Sequence, residues 1–270
     1  MLREHDIKMA LIVRLHQKGM LDNAVLINEM VVAKWSRRAD LALVNETLQA
    51  FEIKSDYDSL KRLDGQLATF NSRFEKVTVV CASKFTIEVL NKVPREVEVL
   101  EVSKNDNSVS FKIVQRGKTR NLKDKKILLS FLLKKEIRTL LKGRTVSDVV
   151  DLNRELMEVE CLKLPVSVIR NFVLCTVKSR YRETSNRLIE KLDGPSILLN
   201  ADLHLLSKKK LARSSEFKEL KFRDFDSFLG SAGIIKLDFS QLKMKYGEVL
   251  VTAPSFAIKR LVKNKVSEVI

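Results

Sequence analysis

Two acidic residues and one lysine interrupt apolar segments that otherwise resemble core strands. Asp40 precedes the run LALV, and Glu52 and Lys54 lie in the run LQAFEIK. Two neighbouring carboxylates could share a divalent cation, because Mg²⁺ binds one or two carboxylates together with water and phosphate oxygens. A lysine beside that cation could orient a water molecule and stabilise negative charge on a phosphoryl oxygen. These residues therefore predict phosphodiester hydrolysis with Mg²⁺ or Mn²⁺ as cofactor, Asp40 and Glu52 as metal ligands, and Lys54 as the water-positioning cation.

The spacing of the two runs predicts a β-hairpin with a three-residue loop centred on Glu46. Residues whose numbers sum to 92 then face each other, so Asp40 lies opposite Glu52. Directly opposed β-carbons are about 4.5–5.5 Å apart, a distance at which like charges destabilise a sheet unless a cation lies between them. Because side chains alternate along a strand, Lys54 shares the face of Glu52. The competing interpretation is a solvated cross-strand ion pair on an exposed face.

The elements around this hairpin follow from the spacing of apolar residues. Helical spacing predicts helices over HDIKMALIVRLHQKG, NAVLINEMVVAKW and DYDSLKRLDGQLATFNSRF. The continuous apolar run KVTVVCAS predicts a strand buried on both faces, which would follow the hairpin through a parallel crossover. VEVLEVS and SVSFKIV predict a second hairpin. From about residue 123 the pattern becomes helical and begins with the amphipathic segment KKILLSFLLKKEIRTLL.

With these elements in order, Asp40 and the tripeptide Glu52-Ile53-Lys54 resemble the D…(D/E)-x-K signature of the restriction-endonuclease-like nucleases, often written PD-(D/E)xK. Ala39 stands where that signature has proline. The resemblance implies an α/β fold with a mixed central sheet flanked by helices in α-β-β-β-α-β order, which residues 20–82 match. It also implies a metal-dependent nuclease activity for this chain.

The same resemblance implies two auxiliary site residues. An acidic residue from the helix before the sheet corresponds to Glu29, and a glutamine on the following helix corresponds to Gln66, with Phe70 in the place of the family's usual tyrosine. More closely, residues 1–185 resemble a group of small bacterial and phage proteins with a nuclease core and a helical tail. Phage or mobile-element DNA processing, defence and repair are the processes that this resemblance implies.

Three regions are predicted along the chain. Residues 1–120 would form the nuclease-like core, residues 121–193 a basic helical region, and residues 194–270 a small α+β appendage. The helical region could bind substrate backbone or a protein partner. The alternative function is a protein on a nuclease fold that binds nucleic acid, or regulates a partner, without cleavage.

The net charge of +16 makes nucleic acid, and DNA in particular, the expected partner. The first hundred residues are almost neutral, whereas residues 101–150 hold 13 Lys and Arg against 5 Asp and Glu. A solvated, solubilising surface is the competing interpretation. The predicted nucleic-acid contacts are Arg37, Arg38, Lys123, Lys125, Lys126, Lys208, Lys209 and Lys210.

Other classes of protein fit the sequence poorly. No apolar run approaches the roughly 20 residues that span a bilayer, so no membrane association is expected. The three cysteines lack disulfide-framework or zinc spacing, and the start MLREHDIK lacks a secretory apolar block, which together predict a cytoplasmic protein. The absence of a G-x-x-x-x-G-K-[ST] loop argues against an ATP-driven motor.

Overall fold

The computed structural model describes residues 1–33, 36–105, 108–142, 152–194, 199–207, 234–236 and 256–258. The chain divides into two compact units, Met1–Leu211 and Ala212–Ile270. In the described part of the chain, no helix combines the length and apolar character needed to cross a membrane. Within the second unit, strands β7 (Ile234–Lys236) and β8 (Phe256–Ile258) pair antiparallel.

A six-stranded mixed sheet forms the centre of the first unit, with its strands in sequence order. The strands are β1 (Val25–Val32), β2 (Arg37–Val44), β3 (Leu48–Lys54), β4 (Lys76–Ala82), β5 (Glu98–Asn105) and β6 (Ser108–Gln115). Strands β3, β4 and β5 are parallel, and the remaining neighbours are antiparallel. The parallel crossover from β3 to β4 and the second hairpin, β5–β6, are confirmed.

Helices cover both faces of this sheet. They are α1 (Glu4–Gln17), α2 (Leu63–Arg73), α3 (Thr86–Lys92), α4 (Lys125–Leu129), α5 (Lys134–Leu141), α6 (Arg154–Cys161) and α7 (Val166–Asp193), with short 3-10 helices at Ser83–Phe85 and Asn200–Leu206. The predicted fold class, a mixed sheet flanked by helices and followed by a helical region, is confirmed. The described helices beyond residue 120 belong to the same compact unit as the sheet.

Alternating burial along the strands creates two cores. On β3, Phe51 and Ile53 pack into the core that α1 covers, whereas Leu48 and Ala50 pack into the core that contains residues of α2 and α4–α7. A strand buried on both faces is expected at the middle of a sheet. Helix α7 also lies along the sheet edge, where the Ser185 hydroxyl accepts a hydrogen bond from the backbone N–H of Leu26.

One predicted helix is wrong, and another is divided into two helices. The segment NAVLINEMVVAKW contains β1, because its alternating apolar residues fill both cores and its β-branched residues favour a strand. The segment KKILLSFLLKKEIRTLL breaks into α4 and α5 around Ser130, whose hydroxyl donates to the carbonyl of Ile127. The break lets the apolar residues of both short helices lie in one core.

Candidate active site

The candidate site lies where β2 and β3 separate. Their register runs from Val44–Leu48 to Leu41–Phe51, and each pair sums to 92, as the hairpin prediction requires. Beyond the last pair, Asp40 Oδ2 accepts a 2.7 Å hydrogen bond from the backbone N–H of Ile53. The Asp40 side chain therefore bridges the two strands at the point where their backbone pairing ends.

The buried residues Glu52 and Lys54 form a cluster with the half-buried Gln66 beside this fork. Lys54 Nζ donates to Glu52 Oε1 at 2.7 Å and to Gln66 Oε1 at 3.0 Å. Gln66 Nε2 also donates to Glu52 Oε1. Glu52 is 1% exposed, and among the described residues its second oxygen, Oε2, is buried without a hydrogen-bond partner. A buried carboxylate oxygen without a partner is costly, so this atom fits a cation ligand.

Asp40 also belongs to a second group of carboxylates. One oxygen from each of Glu4, Glu29 and Asp40 lies within 4.8 Å of the others. Lys8 Nζ bonds to this group, at 3.0 Å from Glu4 Oε1 and 2.7 Å from Glu29 Oε1. Its third contact is Asn28 Oδ1 at 3.1 Å. Glu52 does not belong to this group, so Asp40 joins two neighbouring acidic clusters.

Glu29 lies on β1 and not on a helix, which corrects the predicted location of the auxiliary acid. The pairs Asn28–Leu41 and Met30–Ala39 flank Glu29, which places it beside Asp40 in the same register. Its φ of +56° is rare for a residue with a side chain and costs on the order of 1 kcal/mol. The positive φ shifts the alternation of side chains along β1. Before Glu29 the odd-numbered residues Val25 and Ile27 face one core, and after it the even-numbered Met30 faces the same core.

Glu4 and Lys8 are site residues that the sequence interpretation missed. They lie one turn apart on α1, and their i, i+4 spacing on a predicted helix was a signal that could have identified them. The start of α1 is attached to the end of β3, because Asp56 Oδ2 accepts from Leu2 N at 2.7 Å and Asp56 N donates to Leu2 O. This pairing holds Glu4 of α1 close to Glu29 of β1 and Asp40 of β2.

The electrostatics of the site favour a bound cation. Burial first, and then the charge of Glu52, raise the pKa of Asp40 to about 8 against the opposing effect of the Ile53 N–H. Burial also raises the pKa of Glu52 against the opposing effect of Lys54. Burial by itself lowers the pKa of Lys8, but the contacts of Lys8 with Glu29 and Glu4 outweigh it, so the pKa is raised. Carboxylate oxygens are hard ligands of the kind that Mg²⁺ and Mn²⁺ prefer, so Asp40 and Glu52 are residues that could hold such an ion.

The predicted nucleic-acid contacts are dispersed. Arg37 and Arg38 are exposed at the start of β2; Arg38 pairs with Glu29, and the Arg37 guanidinium lies beside Gly65 at the start of α2. Both arginines therefore adjoin the site. The predicted contacts at 208–210 (Lys208, Lys209 and Lys210) lie outside the described residues.

The predicted lysine contacts at residues 123–126 lie away from the fork. The chain just before them bonds to Glu75, which precedes β4 and contacts Leu48 at the opposite end of β3 from Glu52. Lys125 Nζ donates to the carbonyl of Leu162. At 3.3 Å per residue, the span along β3 from 48 to 52 is about 13 Å. The structure therefore does not bring Lys123, Lys125 and Lys126 to the site.

One protein family and one phage relative match most of this chain, and two solved structures match about half of it. The family described as bacteriophage P4 protein cII matches residues 1–207. Protein cII of Enterobacteria phage P4 is 46% identical over 266 residues, which cover 97% of this chain and 98% of that protein. A solved protein of unknown function from Silicibacter pomeroyi is 16% identical, with a TM-score of 0.36, and covers 54% of this chain and 99% of its own. Pyrococcus furiosus SfsA in complex with Ca²⁺ is 12% identical, with a TM-score of 0.28, and covers 43% and 64%.

Proposed function

Because the chain belongs to the bacteriophage P4 protein cII family, whose name describes no activity, we propose a function from its site. The proposed function is metal-dependent hydrolysis of phosphodiester bonds in nucleic acid, with DNA as the substrate and phage or mobile-element DNA as its context. The observation that carries the proposal is the buried Glu52 carboxylate, which bonds to Lys54 through one oxygen and whose second oxygen has no hydrogen-bond partner among the residues that the structure describes.

The site residues would divide the work as follows. Asp40 and Glu52 would hold the divalent cation through oxygens at the fork of β2 and β3. When bound, the cation would supply Lewis-acid activation of a phosphoryl oxygen and lower the pKa of its water. The Lys54 ammonium is held in place by Glu52 and Gln66, so it would orient the attacking water and stabilise charge on the phosphate.

Gln66 is a positioning residue in this scheme. Its amide accepts from Lys54 and donates to Glu52, so it aligns both groups from α2. Arg37 and Arg38 are exposed at the same end of the sheet and could contact flanking phosphates. In this scheme the cation would contact the phosphate that is cleaved, while the two arginines would hold neighbouring phosphates at the protein surface.

One observation favours the alternative, a protein that binds nucleic acid or regulates a partner without cleavage. Lys54 and Glu52 are 4% and 1% exposed and neutralise each other directly. A substrate phosphate must approach this pair before Lys54 can act on it. If Lys54 and Glu52 remain paired with each other, the pair would only stabilise the fold. Any nucleic acid would then bind elsewhere on the basic surface.

Cleavage assays separate the two functions. The full chain is incubated with supercoiled plasmid, single-stranded DNA and RNA in Mg²⁺, Mn²⁺ or EDTA. We expect metal-dependent cleavage of DNA and a loss of about 100-fold or more in Lys54→Met, the magnitude typical of removing one group that stabilises transition-state charge. Lys61→Met is the matched control, because Lys61 is exposed on the approach to α2.

The outcomes differ clearly. Metal-dependent cleavage that Lys54→Met abolishes and Lys61→Met preserves supports the nuclease. Binding of DNA without cleavage in either metal supports the alternative. Cleavage of equal rate in wild type and Lys54→Met refutes the assigned site.

A further inference from the structure

Lys8 stands out because its charged end is buried within the second carboxylate group. The side chain is 4% exposed, and its ammonium contacts Glu4, Glu29 and Asn28 within 3.1 Å. An ammonium has three protons, so these three acceptors satisfy it completely. No nuclease role described above uses this lysine.

The position of Lys8 matches that expected for a cation. Oxygens of Glu4, Glu29 and Asp40 approach within 4.8 Å of one another, a spacing at which three carboxylates can surround one ion. Asp40 is shared with the proposed metal pair Asp40–Glu52. Sites with two metal ions hold them about 3.5–4 Å apart and commonly stabilise both the attacking and the leaving oxygen.

Charge balance also sets a limit on the number of metal ions. The ionisable groups at the two clusters are four carboxyl groups, from Glu4, Glu29, Asp40 and Glu52, and three bases, from Lys8, Arg38 and Lys54. Their net charge is −1 when all are ionised. One divalent cation brings the site to +1, whereas a second would bring it to +3. An uncompensated charge of that size is costly next to the buried side chains of Lys8, Glu52 and Lys54, which are at most 4% exposed.

We propose that the Lys8 ammonium takes the place of a second divalent cation beside the Asp40–Glu52 metal position, so that the protein binds one metal ion and not two. The inference rests on the proposed function for the existence of the first metal ion. Lys8 is a positioning residue here: it holds Glu4 and Glu29 and contributes a fixed positive charge. The three-carboxylate group is then already occupied by a cation that the chain itself provides.

Metal stoichiometry tests this inference without an activity assay. The full chain is titrated with Mn²⁺ and followed by calorimetry and by the electron paramagnetic resonance signal of free Mn²⁺. We expect one ion per wild-type chain. Lys8→Met should bind two, or bind the second at least about tenfold more tightly than wild type does. Lys8→Arg keeps the positive charge and should still bind one.

Lys8→Gln provides a second neutral variant that can retain hydrogen bonds to the acids, and it should also gain an ion. Lys61→Met is the matched control and should bind one. Two ions in wild type with comparable affinity would overturn the inference and leave the proposed function intact. A stoichiometry of one in both neutral variants would also overturn it. No Mn²⁺ bound to wild type would refute the proposed metal-dependent function and the inference together.

Discussion

Replacing Asp40 by asparagine should stabilise the metal-free protein and remove its metal response. Asparagine has nearly the same shape, and its Oδ1 can still accept the hydrogen bond from Ile53 N. The change removes a charge that burial and Glu52 make unfavourable. Because the buried charge of Asp40 destabilises the metal-free protein, Asp40→Asn should raise the free energy of unfolding. Most substitutions of buried residues lower it.

The magnitude follows from linkage. The pKa of Asp40 rises from an ordinary 3.8 to about 8 in the folded protein, so between those values the folded state holds more protons than the unfolded state. Wild-type stability should therefore fall as pH rises through this window and level off above it. One pKa unit corresponds to about 1.4 kcal/mol, which sets an upper limit of roughly 5–6 kcal/mol. Because the charge of Glu52 contributes to this shift and the pKa of Glu52 is itself raised, protonation of either acid relieves the other, and we expect about 1–3 kcal/mol.

Urea unfolding at pH 5 and pH 7.5 measures this effect, with EDTA or Mn²⁺ present. In EDTA at pH 7.5, Asp40→Asn should be the more stable protein, and the difference should shrink at pH 5. Mn²⁺ should stabilise wild type, because a ligand that binds only the folded state shifts the equilibrium, and should have little effect on the variant. Asp64→Asn is the control, because its side chain is 67% exposed.

Two results would refute this reasoning. One is a loss of more than about 1 kcal/mol in Asp40→Asn in EDTA at pH 7.5, which would mean that the carboxylate stabilises the fold. The other is equal stabilisation of wild type and variant by Mn²⁺, which would place the metal elsewhere. A change of comparable size in Asp64→Asn would show that the effect is not specific to the fork.

Two further predictions concern parts of the fold away from the site. Arg170 binds both oxygens of the buried Glu75, so Arg170→Met should cost about 3–5 kcal/mol in urea unfolding, whereas a loss below 1 kcal/mol would contradict the pairing. Cys175 is exposed, while burial raises the pKa of Cys81 and Cys161 to about 11. Ellman's reagent at pH 8 should therefore modify one thiol per native chain and three in denaturant, and rapid reaction of all three in the native protein would contradict the burial.

Local patterns were enough to predict the centre of the candidate site. The length of the loop around Glu46 sets the register of the hairpin, and the period of two sets the faces of its strands. Both are short-range properties, so Asp40, Glu52 and Lys54 could be placed near one another from their spacing. The burial of the helical stripe that includes Leu67 and Phe70 follows from periodicity in the same way.

Periodicity was misleading where a segment is buried on both sides. Around Glu29, apolar residues that fill two cores match a helical spacing as well as a strand, and the positive φ of Glu29 shifts the alternation further. Sequence reasoning therefore placed Glu29 on a helix, whereas it lies on β1. Its position beside Asp40 depends on pairing between β1 and β2.

The amino-acid sequence by itself determined the hairpin that presents Asp40, Glu52 and Lys54, because loop length and alternation act over a few residues. Only the tertiary structure decided that α1 brings Lys8 into the carboxylates and that Arg170 reaches Glu75, 95 residues away. Such contacts depend on how helices dock on the sheet. Docking is decided by the packing of whole apolar faces and by the need to pair buried charges, and neither quantity is visible in a short stretch of sequence.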